Sequence, residues 1–267
     1  MRYAPGAGET SVGLDGGRLI FTKKSMGKQA RMGKVAANPD HGEGKERPAM
    51  MQLYGHPFSS FTWKVLIALY ERALPFDFRM VDPGHPDNSA FVRDAGPGGQ
   101  FPVLVDGDRT VIESSAIIEY LEVVHGSAGH LVPADPVRAI EARQMDALLD
   151  DYIAAPVQAI LDDAARSEGE RDAPGAARAR ERLEKAYAWF DRWMEDRDWA
   201  ACGRFTIADC AAAPALFYAD WVHEIAEGHA NLRAYRQRLL ARPTIARVID
   251  EARPYRHLFP LGAPGRD

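Results

Sequence analysis

The pattern of apolar and polar residues between positions 51 and 75 predicts a strand followed by a helix. The alternation Met-Gln-Leu-Tyr from residue 51 is typical of a short strand, and the Gly-His-Pro triplet after it breaks the pattern. From Thr62 onward, apolar residues recur at the three-to-four spacing of one helical face. The positions on that face are Val65, Leu66, Leu69 and Leu74.

Two serines, Ser59 and Ser60, lie at the start of this predicted helix. Either hydroxyl could cap the helix, whose first N–H groups lack partners and carry a partial positive charge. A hydroxyl in that position can also help to hold an anion. If the anion is a thiolate, the hydroxyl and the helix end both lower the thiol pKa from about 8.5 toward neutrality. The nucleophile would then belong to a bound substrate.

Two further motifs follow before residue 126. In residues 99–105, Pro102 directly precedes an apolar strand-like run, where a proline is ordinary, so the residues alone do not predict a cis bond. Residues 110–117 lead from a predicted hairpin strand into a helix that begins near Glu113 and Ser114. Acidic and hydroxyl residues often satisfy the free N–H groups of a helix start, so a helix cap is the ordinary interpretation of this pair.

In this order the three motifs resemble the N-terminal domain of the cytosolic glutathione transferases. The resemblance covers residues 51–121 and implies a thioredoxin-like α/β fold. It implies that Ser59 hydrogen-bonds the sulfur of glutathione, as in the zeta, tau and theta-like classes. This chain has Ser60 and Phe61 where Pro or Cys often lies in the family, so Ser60 could take the role of Ser59.

The same resemblance assigns the other contacts of glutathione. It implies that Pro102 is cis and that Phe101 pairs through its backbone with the cysteinyl part. It implies that Glu113 and Ser114 hold the γ-glutamyl end. Gln100 matches a position that often helps to hold the glycine carboxylate.

The pattern becomes helical after a predicted linker at residues 126–134. Thr206 and Asp209 have the spacing of a capping box, and we interpret Asp209 as a structural cap. The second domain of the transferases has such a box, so the resemblance implies an all-helical domain at residues 135–255 and a tail at residues 256–267. The apolar positions of the predicted helices are Ile140, Met145, Leu148, Leu149 and Ile153, then Leu183, Ala186, Tyr187, Phe190 and Met194.

The first fifty residues differ from the rest in composition. They contain nine Lys or Arg against five Asp or Glu, and five of the seven lysines of the chain. With little apolar periodicity, residues 1–50 cannot bury enough surface to offset the entropy of ordering. We expect a disordered basic extension, and the native chain could begin at Met50 or Met51.

Composition argues against several classes of protein. Of the 267 residues 46% are hydrophobic, enough for a core. No run reaches the roughly 18 apolar residues of a spanning helix, and no signal-peptide pattern occurs. We expect a cytoplasmic protein without membrane or nucleic-acid partners. The histidines show no ligand spacing and no phosphate loop occurs, so we expect no metal and no nucleotide. Cys202 and Cys210 are interpreted as reduced, buried packing residues.

Several polar and aromatic residues have ordinary interpretations. Asp150 and Asp151 are adjacent and diverge on a helix, which predicts a solvated face rather than a metal site. The same holds for the acidic pair at residues 162 and 163. We interpret His56 as a loop histidine in water and Trp63 as a packing residue between domains.

The sequence therefore predicts a glutathione transferase-like enzyme with a thioredoxin-like domain at residues 51–125 and a helical second domain. The glutathione thiolate would attack an electrophilic carbon of a mostly apolar second substrate. The resemblance also implies a homodimer. One alternative is a glutathione-dependent isomerase of maleyl-type acids, because Ser59-Ser60 followed by Trp63-Lys64-Val65 resembles the zeta class. Another is a non-catalytic binding or scaffold protein with this fold. Candidates for the second-substrate wall are Tyr152, Phe217 and Trp221.

Overall fold

Strands and helices alternate in the first half of the described chain, and only helices follow. The computed structural model describes residues 11–15, 18–22, 50–126 and 131–267. Within these ranges the strands are β1 (Ser11–Asp15), β2 (Arg18–Thr22), β3 (Met51–Gly55), β4 (Phe76–Met80), β5 (Val103–Asp106) and β6 (Arg109–Ile112). The α-helices are α1 (Ser60–Glu71), α2 (Pro86–Ala95), α3 (Ser114–His125), α4 (Pro136–Leu149), α5 (Ala155–Ala165), α6 (Ala173–Trp193), α7 (Ile207–Val222), α8 (Ala230–Leu240) and α9 (Pro243–Ala252). A π-helix spans Asp150–Ala154, and 3-10 helices span Glu168–Glu170 and Arg253–Leu258.

A mixed sheet with the strand order β4-β3-β5-β6 forms the centre of the first domain. β3 pairs parallel with β4 through the crossover helix α1, and β5 pairs antiparallel with both β3 and β6. The side chains of Leu53 and Leu104 are fully buried in the same core as the apolar face of α1. This α/β unit followed by helices confirms the predicted fold class.

The segment before the sheet differs in part from the predicted disorder. β1 and β2 pair antiparallel, with Asp15 opposite Arg18. Gly16 and Gly17 lie between these two residues in the sequence, a length and composition typical of a two-residue hairpin turn. The composition of residues 1–50 as a whole predicts disorder and does not reveal this local pattern. The other residues before position 50 lie outside the described part of the chain, and their disorder stays a prediction.

The structure confirms one of the two long apolar helix faces predicted in the second half of the chain and confirms the other only in part. The α6 face is confirmed, because each of its predicted residues is buried. On α4, Met145 and Leu149 are buried, whereas Ile140 is 61% exposed. The buried side of α4 includes Ala139 and Ala142, so Ile140 points away from it. The small alanines gave too weak an apolar signal to fix the orientation of the helix.

The start of α7 is fixed by the predicted capping box of Thr206 and Asp209. Asp209 is fully buried and also accepts hydrogen bonds from the Ala200 N–H at 3.0 Å and the Tyr235 hydroxyl at 2.6 Å. Burial raises the pKa of Asp209 to about 6, against the opposing effect of these hydrogen bonds. The carboxylate therefore joins α7, α8 and the loop between α6 and α7, which confirms its structural interpretation.

A buried ion cluster joins the two domains. The Lys64 ammonium on α1 lies 2.7 Å from a carboxylate oxygen of Asp146 on α4 and 2.7 Å from one of Asp150 in the π-helix. It also donates to the Ser115 hydroxyl on α3 at 2.8 Å, and that hydroxyl donates to Asp146 at 2.7 Å. Burial alone would lower the pKa of Lys64, but the two carboxylates outweigh it and raise the pKa. The cluster fixes α1 and α3 against the second domain.

The predicted solvated face is therefore wrong for Asp150. Asp151 is exposed as expected, but the Asp150 side chain turns inward to Lys64. The partner lies 86 positions away in the sequence, so helical spacing alone could not reveal the pair.

Replacing Lys64 by methionine is expected to lower the free energy of unfolding by about 3–5 kcal/mol, because two carboxylates lose their buried cation. Urea unfolding near neutral pH measures the change, with Lys185→Met as the control for an exposed lysine. A loss in Lys64→Met no larger than in Lys185→Met would contradict the role of the cluster.

Candidate functional site

Ser59 caps α1. Its backbone is extended, with φ −93° and ψ 128°, and its Oγ accepts the Thr62 N–H at 3.3 Å. The hydroxyl hydrogen can still be donated, because the oxygen is the acceptor in this bond. Ser60 is the first residue of the helix and is partly exposed. Of the two serines, Ser59 has the capping geometry that the sequence left open.

The loop before Ser59 is built around His56, which is 2% exposed. Its Nδ1 accepts the Phe58 N–H at 3.1 Å, and its carbonyl accepts the Ser59 N–H at 3.0 Å. The ring of Tyr255 packs edge-on at 4.8 Å between centroids. The predicted exposed histidine is therefore wrong, because a residue from the distant 3-10 helix covers the loop. Burial lowers the pKa of His56 to about 4, so the ring is neutral near pH 7.

The turn into β5 has the geometry that the resemblance implies. The Phe101–Pro102 peptide bond is cis. Phe101 is 3% exposed, and Gln100 beside it is half-buried. Both residues precede the β-ladder, which begins at Val103.

Glu113 occupies the N-cap position of α3 in an unusual conformation. Its φ is 68° and its ψ 121°, and its side chain makes no capping hydrogen bond. A positive φ costs a non-glycine residue about 1–3 kcal/mol, and such strain concentrates at functional sites. Glu113 therefore occupies the cap position, but its side chain does not cap the helix as the ordinary interpretation predicts. Ser114, next to it, is 3% exposed.

The sheet register brings the three motifs to one edge. Val103 pairs with Tyr54 on one side and with Ile112 on the other. The loop to Ser59 follows β3, the cis bond precedes β5, and Glu113 follows β6. The starts of α1 and α3 and the cis turn before β5 therefore lie close together. Their backbone groups are not hydrogen-bonded within the sheet.

An apolar pocket lies beside this edge. Ser59 and Ser60 form part of its wall, and α5, α7 and the segment after α9 supply most of the rest. None of the three wall candidates from the sequence lines this pocket. Phe217 is buried against Trp63, and Tyr152 lines a different pocket. Trp221 contacts the wall residues Tyr218 and Phe259. The aromatic residues that line the pocket are Phe58, Tyr218 and Phe259.

Trp63 is buried and contacts Phe217 and Tyr218 of α7, which confirms the predicted packing between domains. Cys210 is fully buried as predicted, whereas Cys202 is partly exposed in a loop, with φ 59°. Within the described ranges, no group of three or more His, Cys, Asp or Glu residues is arranged to hold a metal ion. The helices in those ranges also include none with the length and apolar character needed to cross a membrane.

Comparisons with known proteins agree with the geometry. The model of the glutathione S-transferase N-terminal domain matches residues 53–128, and that of the C-terminal domain matches residues 145–243. A glutathione S-transferase of Methylobacterium radiotolerans, solved in complex with glutathione sulfonate, is 33% identical, with a TM-score of 0.65. The similarity covers 74% of this chain and 94% of that chain.

Two sequence relatives differ in how much of this chain their similarity covers. A glutathione S-transferase of Hyoscyamus muticus is 26% identical over 75% of this chain and 98% of its own length. A probable maleylacetoacetate isomerase of Caenorhabditis elegans is 32% identical over 36% of this chain and 45% of its own length. The chain spans only 40% to 45% of the length of three of the curated relatives that it matches.

The buried His56 predicts a pH dependence of stability. Its pKa is about 4 in the folded protein and near 6.5 when exposed. The unfolded chain binds the proton more readily in that range, so the stabilisation is complete above about pH 6.5 and is lost as the pH falls toward 4.

Between about pH 7 and pH 4.5, the wild type should lose about 2–3 kcal/mol more unfolding free energy than His56→Asn, which keeps an acceptor without a titrating ring. The measurement is urea unfolding at each pH, with the exposed His85→Asn as control. Identical pH profiles for the wild type and His56→Asn would contradict the assignment.

Proposed function

Since the chain belongs to the glutathione S-transferase family, we propose that it conjugates the glutathione thiolate to an electrophilic carbon of a mostly apolar small molecule. The proposal rests on the three motifs that lie together at one edge of the sheet. Ser59, the cis turn at Phe101 and the strained Glu113 meet there, beside an apolar pocket. A polar peptide and an apolar electrophile can then lie side by side.

Ser59 is proposed to hold the glutathione sulfur. Its hydroxyl can donate to the thiolate while its oxygen accepts the Thr62 N–H. The start of α1 adds a partial positive charge. Both effects favour the ionised sulfur, so the protein supplies a nucleophile near neutral pH and positions it. Ser60 also lines the pocket and is the alternative donor.

The remaining glutathione contacts follow from the same edge. We propose that the backbone of Phe101 pairs with the cysteinyl part, where the β5 ladder has not yet begun. Glu113 and Ser114 would hold the γ-glutamyl end at the start of α3. Gln100 would contact the glycine carboxylate. Pro102 shapes the turn through its cis bond.

A homodimer in the cytoplasm is part of the proposal. Four apolar side chains are exposed on α3 and α4, a pattern that often marks an interface. Their exposed fractions are 82% for Val123, 49% for Val124, 75% for Val137 and 61% for Ile140. A second copy of the chain would cover them.

A second candidate is glutathione-dependent isomerisation of a maleyl-type acid. It is favoured by the similarity to the probable maleylacetoacetate isomerase. The two reactions differ in stoichiometry, because an isomerase regenerates glutathione whereas a transferase consumes it. Measuring free thiol during turnover separates them.

Removing the Ser59 hydroxyl should lower kcat by about 10²–10³-fold, because the sulfur loses a donor that favours the thiolate. The affinity for glutathione should stay within a few-fold. The assay is conjugation of a chlorinated nitrobenzene by the wild type, Ser59→Ala and Ser60→Ala. Ser60→Ala serves as the control, and full activity in Ser59→Ala with loss in Ser60→Ala would move the role to Ser60.

Glu113→Ala should weaken glutathione binding by about 5- to 150-fold, because the γ-glutamyl ammonium group loses its carboxylate, an effect of about 1–3 kcal/mol. Glu113→Gly should weaken binding similarly while raising stability, since glycine tolerates the positive φ. Calorimetric titration and thermal melting measure the two effects, with the exposed Glu195→Ala as control. An unaltered dissociation constant in both Glu113 variants would refute this contact.

A further inference from the structure

One amide side chain, that of Gln158 on α5, lies in the wall of the apolar pocket beside Ser59 and Ser60. The other described side chains that the second domain contributes to this wall are aliphatic or aromatic. Among them, Tyr218 already donates its hydroxyl hydrogen to the Phe58 carbonyl at 2.9 Å. Pockets for small molecules are typically apolar, with a few polar groups that fix the orientation of the ligand. Gln158 is the candidate for that role toward the second substrate.

A neighbouring carboxylate fixes the orientation of the Gln158 amide. The Nε2 atom donates a hydrogen bond to a carboxylate oxygen of Asp162, one turn further along α5, at 2.6 Å. Because an ionised carboxylate only accepts hydrogen bonds, the nitrogen of the amide must face Asp162, and the oxygen Oε1 must point away from it. Within the described part of the chain, no group donates a hydrogen bond to Oε1. Gln158 is half-buried, so an entering molecule can reach this oxygen.

The contact with Asp162 also determines which chemical group the amide can bind. An N–H that donates to a carboxylate shifts electron density toward the amide oxygen, which becomes a better acceptor. Oε1 therefore suits a hydroxyl or an N–H group of a ligand. A carboxylate of a ligand would lie near Asp162, and the described residues of the pocket wall include no Lys, Arg or His to offset the repulsion. Neutral electrophiles are therefore favoured over the maleyl-type acids of the second candidate function.

We propose that Gln158 determines specificity for the second substrate and selects neutral electrophiles that carry a hydroxyl or N–H donor. This inference rests on the proposed function, because it names the class of electrophile that the glutathione thiolate attacks. In that reaction Ser59 holds the sulfur at one wall of the pocket, and Oε1 of Gln158 accepts the donor of the substrate at another wall. Gln158 orients the substrate and takes no part in the bond that forms.

The test compares trans-2-hexenal with 4-hydroxy-trans-2-hexenal, which differ in a single hydroxyl group. In both, the glutathione sulfur bonds to the β-carbon, the electron pair of the C=C bond moves toward the carbonyl as an enolate, and a proton from water completes the adduct. The quantity is kcat/KM for the hydroxylated aldehyde divided by that for the plain aldehyde, so intrinsic reactivities cancel between variants. Gln158→Met keeps the length of the side chain but removes the acceptor. It should lower this ratio by about threefold to tenfold, mainly by raising KM for the hydroxylated aldehyde.

A second variant, Asp162→Asn, tests the orientation of the amide. An asparagine can donate as well as accept, so the Gln158 amide is free to turn its nitrogen toward the pocket, and the ratio should fall. A wild-type ratio in Asp162→Asn would contradict the orienting role of the carboxylate. The matched control is Gln237→Met, which changes an exposed glutamine on α8 outside this pocket and should keep the wild-type ratio.

An unchanged ratio in Gln158→Met would overturn the proposal, because a purely structural role lowers the activity toward both aldehydes alike. If Gln158→Met does not fold, Gln158→Ala removes the same acceptor with a smaller side chain and provides the ratio. Failure of the proposed function has a different signature. The wild type would then conjugate neither aldehyde, and the inference about Gln158 would be refuted together with that function.

Discussion

The buried charge of Lys64 is the constraint on which the site depends. A cation at 1% exposure is tolerated because Asp146 and Asp150 surround it, and those residues belong to the second domain. Lys64 lies on α1, about one and a half turns beyond Ser59, and donates a hydrogen bond to Ser115, next to Ser114. The relative placement of both helix starts is therefore set by electrostatics in the core. The site and the domain interface form one structural unit.

The proposed reaction depends on which strands begin and which strands end at one edge of the sheet. β3 and β6 end and β5 begins around Val103, so loops whose backbone groups are not paired in the sheet collect there. The start of α1 favours an anion, whereas the neighbouring pocket is lined mainly by carbon. Such an arrangement suits a charged nucleophile that must meet an apolar electrophile. The π-helix contributes to both sides, with Asp150 in the ion cluster and Ala154 in the pocket wall.

Local features were predictable from the sequence, and features that join distant segments were not. The α1 start at Ser59 and the capping box at Asp209 each depend on residues within one turn. The cis bond at Pro102 came from family resemblance, because most prolines before strands are trans. The burial of His56, the partner of Asp150 and the position of Phe259 depend on segments far apart in the chain. Periodicity contains no information about such pairs.

The ultraviolet absorbance of the bound thiolate, followed against pH in the wild-type protein, tests the central claim most directly. If the start of α1 and the Ser59 hydroxyl stabilise the glutathione sulfur as an anion, the bound thiol should ionise about two pH units below the free thiol. Binding with an unshifted ionisation would contradict the claim and leave a protein that holds glutathione without activating it.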